Sequence, residues 1–152
     1  MNKFKNLEKD IGIDFLNKNL LKLAFIHKSF VNESKIQKET NERMEFLGDA
    51  VLELAVTEHL YKTYSKKPEG DLTSWRSALV KGKNLAFVAT KLNLGSYLSL
   101  SKGEELSGGR EKAYLLANTT EALIGAIYLD QGFEVARDFI MKHIIVLLDE
   151  IV

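Results

Sequence analysis

Glu42, Glu45 and Asp49 fall within one short run, Asn41-Glu-Arg-Met-Glu-Phe-Leu-Gly-Asp49. On a helix advancing about 100° per residue, with Glu42 as origin, Glu45 falls at roughly 300° and Asp49 at roughly 340°. The three acids therefore share one narrow stripe, and no Lys or Arg shares it within the same two turns. Like charges so placed destabilise an isolated helix by about 0.2–0.5 kcal/mol per pair. The ordinary reading of such a stripe is a solvated face. The chemical reading is a face that holds a cation.

A second segment bears on that choice. Asn118 and Glu121 are three residues apart, so they share a face of a largely apolar helix that also carries Ala122, Gly125 and Leu129. The first helix has Gly48, Ala50 and Ala55. Small residues on both predict that the two helices approach closely and cross in the core. A carboxylate buried there without a partner costs several kcal/mol. A hard divalent cation relieves both problems, because it takes oxygen ligands that Glu45, Asp49, Asn118 and Glu121 can supply. The alternative is an ion pair from Glu121 to Arg43 or Arg110.

The elements that must position these residues are helical. The chain of 152 residues contains one proline, Pro68, and shows no long alternation of apolar and polar residues. The pattern predicts helices over 4–11, 18–30, 42–64, 71–92 with a break near Gly82, 111–130 and 133–150. Asn41 or Thr40 is the candidate N-cap of the acid-bearing helix. Residues 32–41 and 95–109, polar or rich in Ser and Gly, are expected to be loops. No repeat or linker divides the sequence, so it reads as one all-α domain over 1–152.

Composition narrows the function classes. Lys plus Arg and Asp plus Glu both number 21, for zero formal net charge, which does not favour coating nucleic acid by bulk charge. There is no cysteine, which excludes disulfides, thiol nucleophiles and sulfur-ligated zinc. No apolar run reaches the length of a membrane helix, and the charged start is unlike a secretory signal. A cytoplasmic protein without a membrane partner is the expectation. His27, His59 and His143 are too scattered for a metal triad, and His27 is expected to order its helix.

With these residues in view, the run Asn41–Asp49 resembles the signature of ribonuclease III catalytic domains. His27-Lys-Ser-Phe30, Pro68-Glu-Gly-Asp-Leu-Thr73, Leu94-Gly-Ser-Tyr-Leu98, Gly103-Glu104, Gly108-Gly-Arg110 and Glu121-Ala-Leu-Ile-Gly-Ala-Ile-Tyr-Leu-Asp130 resemble that family's further segments in order. The resemblance implies an all-α homodimer that hydrolyses double-stranded RNA to 5′-phosphate and 3′-hydroxyl ends, with Mg²⁺ as cofactor and Mn²⁺ as a substitute. It implies catalytic roles for Asp49, Glu121 and Glu42 and a metal site of Glu45, Asp49, Asn118 and Glu121. The weakest of these assignments is Glu42, as support for a second ion or its waters. Phe46 takes the place of an aromatic that enters a socket on the partner subunit. Its position beside the acid stripe suits an interface, the alternative being a core residue. Lys28, Lys66, Lys67, Lys83 and Lys112 are candidates for RNA phosphates, though each alone also reads as a solvated lysine.

Two departures from the family pattern matter. Asn118 stands where the family usually has Asp, so a ligand oxygen is kept and a charge is lost, which is expected to weaken Mg²⁺ binding and slow cleavage. The family also continues into a double-stranded-RNA-binding domain, whereas this sequence ends at Val152, as expected of a piece of a longer protein or of a stand-alone nuclease domain. The rival function is a non-cleaving RNA-binding scaffold of the same fold, favoured by Asn118 and disfavoured by the retained acids. A helical protein-interaction domain with no RNA role is the third reading.

Overall fold

The fold is organised by two helices that cross almost backbone to backbone. A computed structural model describes residues 3–152, so residues 1 and 2 of the expected domain lie outside the described residues. Helix α4 (Glu42–Thr63) and helix α8 (Ala113–Gln131) form the central pair. Around them stand α1 (Lys5–Ile11), α2 (Lys18–Leu23), α3 (Lys28–Glu33), α5 (Glu69–Val80), α6 (Gly82–Lys91), α7 (Lys102–Leu106) and α9 (Phe133–His143). Short 3₁₀ turns occur at Leu94–Tyr97, Gly109–Glu111 and Ile145–Glu150. No named strand occurs among the described residues; one isolated parallel bridge joins Ile26 and Ser99.

Helix α8 is buried around most of its circumference, from Leu115 to Ala117 and from Ala122 to Ile127. A helix apolar on every side belongs at the centre of a core. Its two buried threonines satisfy their hydroxyls on carbonyls: Thr119 donates to Leu115 O (2.7 Å), and Thr120 donates to Leu116 O (3.1 Å) and across to Leu85 O of α6 (2.9 Å). Met44, Val51, Leu52, Ala55, Val56 and Leu60 supply the buried face of α4.

The crossing is set by glycine. A Cβ on Gly48 would overlap the Glu121 carbonyl oxygen and lie 2.9 Å from Gly125 N. A Cβ on Gly125 would overlap the Met44 carbonyl oxygen and lie 3.2 Å from Gly48 N. The expected close approach is thus formed by Gly48 on α4 and Gly125 on α8, with Ala55 and Ala122 buried. Ala50 is exposed and takes no part in it, because it points away from α8.

The predicted helix 18–30 is two helices. The first tightens to three-residue bonds at Phe25 and Ile26 and then stops, where Ser99 N donates to Phe25 O and His27 N donates to Ser99 O. His27 then starts α3 by accepting the Ser29 N–H on its ring Nδ1 (3.1 Å). The predicted loop 95–109 is likewise built from short helical pieces. Ser101 caps α7 by accepting Glu104 N–H, and Arg110 donates to Gly95 O (3.0 Å) and Leu98 O (2.7 Å). The expected break near Gly82 falls at extended Lys81, where the Asn84 amide donates to Ala78 O and Leu79 O at the end of α5. The last predicted helix, 133–150, ends at His143 and continues only as a 3₁₀ turn.

Gly48→Ala tests the crossing. On an exposed helical site Gly→Ala stabilises by up to about 1 kcal/mol. Here the new Cβ meets backbone that cannot rotate away, so a loss of about 3 kcal/mol or more is expected in urea unfolding. Gly70→Ala on α5, where nothing lies within 4 Å of the added carbon, should be neutral or stabilising.

Candidate active site

The glycine crossing decides where the carboxylates meet. The Glu121 carbonyl is the atom against which Gly48 packs, so Glu121 leaves α8 beside the turn of α4 that carries Glu45 and Asp49. Glu121 and Glu45 are half-buried, while Asp49 and Glu42 are exposed. Burial, a side-chain hydrogen bond shared with Asp49, and the charges of Asp49, Glu45 and Glu53 together push the Glu121 carboxyl up to about 8. Glu45 is raised by burial and by the charges of Glu42 and Asp49, with Lys28 opposing.

Among the described residues no Lys or Arg forms an ion pair with Glu121, and no positive charge opposes its shift. Arg110 forms an ion pair with Glu105 (2.7 Å) and grips the loop carbonyls. Among the described residues no ion pair joins Glu121 to Arg43 or Arg110. Asn118 lies one turn before Glu121, half-buried, and its side chain makes no hydrogen bond among the described residues. Glu42 is held at the helix start, where its carboxylate accepts the Thr40 hydroxyl (3.1 Å) and its N–H donates to Thr40 Oγ1 (3.1 Å). Asn41 occupies the N-cap position, as expected, and Thr40 supplies the side-chain acceptor beside it. Asn41 itself is buried, with its amide donating to Ala24 O (3.0 Å).

This donor set fits a hard divalent cation. It is all oxygen, it comes from two rigid helices, and its mutual repulsion is the quantity a cation removes. Among the described residues no three His, Asp or Glu side chains already converge as a closed cage. Holding an ion there would require the side chains to rotate, and Asp49 is exposed. Glu53 is a member of the cluster that the sequence reading missed. It sits one turn beyond Asp49, at roughly 20° on the same wheel, so the stripe itself held the signal.

The lysines divide. Lys28, exposed at the start of α3, is near enough to Glu45 to oppose its shift. Lys112 is engaged by Glu104 (2.6 Å) and Ser107 Oγ (3.2 Å), so its charge is already paired. Lys66 and Lys67 follow the C-terminal end of α4, roughly 20 Å along the helix from Asp49, and one chain does not bring them to the acids. Lys83 is exposed in the first turn of α6. Phe46 is no core residue: it is 82% exposed, beside a cavity of about 840 Å³ with an apolar side of leucines and Met44 and a polar side that includes Lys38, Glu39 and Arg43.

The chain is similar to known proteins in sequence and in fold. The Ribonuclease-III-like family model matches residues 17–148. The chain is 49% identical to Ribonuclease 3 of Clostridium beijerinckii over 145 residues, 94% of this chain and 62% of that protein. It is 50% identical to Ribonuclease 3 of Oceanobacillus iheyensis over 139 residues, 91% of this chain and 61% of that protein. The chain thus spans about three-fifths of the length of these relatives. A solved nuclease domain of ribonuclease III from Campylobacter jejuni, in which a region is involved in dimer formation, superposes with a TM-score of 0.86 at 45% identity, covering 92% of this chain and 94% of that one. The chain belongs to the ribonuclease-III-like family.

Proposed function

We propose that the chain is the nuclease domain of an Mg²⁺-dependent endoribonuclease, with Mn²⁺ able to replace Mg²⁺. It hydrolyses phosphodiesters of double-stranded RNA and leaves 5′-phosphate and 3′-hydroxyl ends. The observation that carries the reading is the meeting of Glu121 with Asp49 and Glu45 where two helix backbones touch, with no Lys or Arg paired to Glu121 among the described residues. Relatives named Ribonuclease 3 at 49–50% identity support the reaction class. In this reading Glu45, Asp49, Asn118 and Glu121 hold the cation, and Glu42 supports a second ion or its waters. The bound cation supplies charge that activates water and offsets the negative charge developing on the leaving 3′-oxygen. The half-buried setting of Glu45 and Glu121 keeps water from weakening that charge contact. Duplex RNA presents its phosphates and 2′-hydroxyls across a wide minor groove, and exposed Lys28, Lys66, Lys67 and Lys83 are the phosphate contacts we assign. No helix among the described residues is long and apolar enough to cross a membrane, and the proposed setting is the cytoplasm.

We also infer a homodimer in which Phe46 of each chain enters the cavity beside Phe46 of the other, against its leucines and Met44. Burying one aromatic contributes about 1.5–3 kcal/mol, and two-fold symmetry makes the contact twice. Light scattering should report twice the 17.2 kDa chain mass. Phe46→Ala should shift the protein toward monomer without lowering helix content; a wild-type monomer at micromolar concentration contradicts this.

The function itself is tested by incubating the chain with duplex RNA, with Mg²⁺ and then with Ca²⁺. Cleavage is expected with Mg²⁺, and Glu121→Gln or Asp49→Asn should lower it on the order of 100-fold or more. Binding without cleavage by the wild-type chain would establish the scaffold reading. Stability gives an independent readout. The folded carboxyl titrates near 8, above its unfolded value, so the folded state holds the extra proton. In chelator, stability therefore falls as pH rises through the window from about 4.5 to 8. His27, His59 and His143 are lowered by burial and contribute the opposite slope at lower pH. The comparison is therefore wild type against Glu121→Gln, and the variant should lose the downward slope.

Asn118 is tested by restoring the charge. Asn118→Asp raises the cage from three carboxylates to four, so it should increase cleavage at limiting Mg²⁺ and lower the melting temperature in chelator. Asn118→Ala should reduce cleavage by removing a ligand oxygen. An unchanged Mg²⁺ dependence in Asn118→Asp would remove Asn118 from the site.

A further inference from the structure

The acid face of α4 does not end at Asp49. Glu53 lies one turn further along, half-buried, and it is held from outside the helix pair. Arg76 of α5 reaches across with its Nε 3.2 Å from Glu53 Oε2, and its Nη1 donates to Thr57 Oγ1 at 3.0 Å. The guanidinium thus bridges one turn of α4 by two differently directed contacts. Its fixed fork holds it more tightly than a lysine could. Both partners of the ion pair are partly exposed, at 36% for Arg76 and 40% for Glu53. Such a pair adds little to stability by itself, so its placement at the end of the acid stripe calls for another account.

We propose that Glu53 and Arg76 form a counter-charged clasp that sets the affinity of the neighbouring carboxylate site for its divalent cation. They do so as positioning residues that touch neither the ion nor the RNA. This rests on the cation reading of Glu45, Asp49 and Glu121. Glu53 adds negative charge beside the site; its effect on Glu121 is in keeping with that position. Arg76 sets an opposite charge against that carboxylate and holds it on the side of Thr57. The clasp holds the site at an intermediate strength, so that the ion is bound yet its inner sphere is not closed by a further carboxylate. A hard cation closed in by protein oxygens loses the open positions that water and phosphate need.

The two members act with opposite sign, which separates this role from a structural one. Mg²⁺ affinity is read from the rise in melting temperature with Mg²⁺ concentration at fixed pH and ionic strength, without RNA. Arg76→Met should tighten Mg²⁺ binding, and Glu53→Gln should weaken it, each by roughly threefold to fivefold. The double variant should return to near the wild-type value. Arg76→Gln repeats the charge loss with a head that can still donate to Thr57, which guards against a folding defect in Arg76→Met. In cleavage assays, Arg76→Met should lower the Mg²⁺ concentration for half-maximal rate while lowering the maximal rate. Equal or same-direction shifts in the two single variants, with the wild type responding to Mg²⁺, overturn the clasp and leave the cation site standing. A wild-type chain that gains no stability from Mg²⁺ overturns the cation site, and the clasp falls with it.

Discussion

The contact between the backbones of α4 and α8 is the constraint on which the rest of the molecule depends. Gly48 lies on the Glu121 carbonyl and Gly125 on the Met44 carbonyl, so neither helix can rotate or withdraw without losing the other. The core follows from this contact, because α8 is buried on most sides only if α4, α6 and α9 close around it. The acid cluster follows as well. Glu121 is placed within reach of Asp49 and Glu45 by backbone contact, which is more rigid than any placement by loops.

That rigidity has an electrostatic cost. Carboxylates brought together in a half-buried cleft repel one another, and the structure absorbs the repulsion by protonation, with the Glu121 carboxyl pushed up to about 8. A fold selected only for stability would place a Lys or Arg at this point, as the same chain does elsewhere. Glu104 has Lys112, Glu105 has Arg110, and Glu53 has Arg76. That no such partner stands at Glu121 among the described residues, amid pairs formed nearby, is what favours an exogenous cation.

Much of this was legible in the residues. Periodicity located α4 and α8, the glycines pointed to their close crossing, and the wheel put Glu42, Glu45 and Asp49 on one stripe. The signature motifs then tied those positions to a family. What escaped was set by contacts distant in sequence. The bridge between Ile26 and Ser99 interrupts an apolar run that reads as one helix, since no local pattern records a single pair of backbone bonds. The Ser- and Gly-rich stretch after Leu94 gains its order from Arg110, which gives its donors to carbonyls and is therefore unavailable to Glu121. Glu53 continued the visible stripe but fell beyond the two turns considered. Asn41 holds the N-cap position as expected, but its side chain does not cap, because its amide donates to the Ala24 carbonyl in the core and the Thr40 hydroxyl takes the Glu42 N–H instead.

The central claim is that a divalent cation replaces the proton held on Glu121. Calorimetric titration of Mg²⁺ into the chain at pH 7, in two buffers of different ionisation enthalpy, counts the protons released on binding. With the carboxyl titrating near 8, close to one proton per bound ion should be released, and Glu121→Gln should release none. Binding with no proton release by the wild-type chain, or release that persists in Glu121→Gln, would contradict the account.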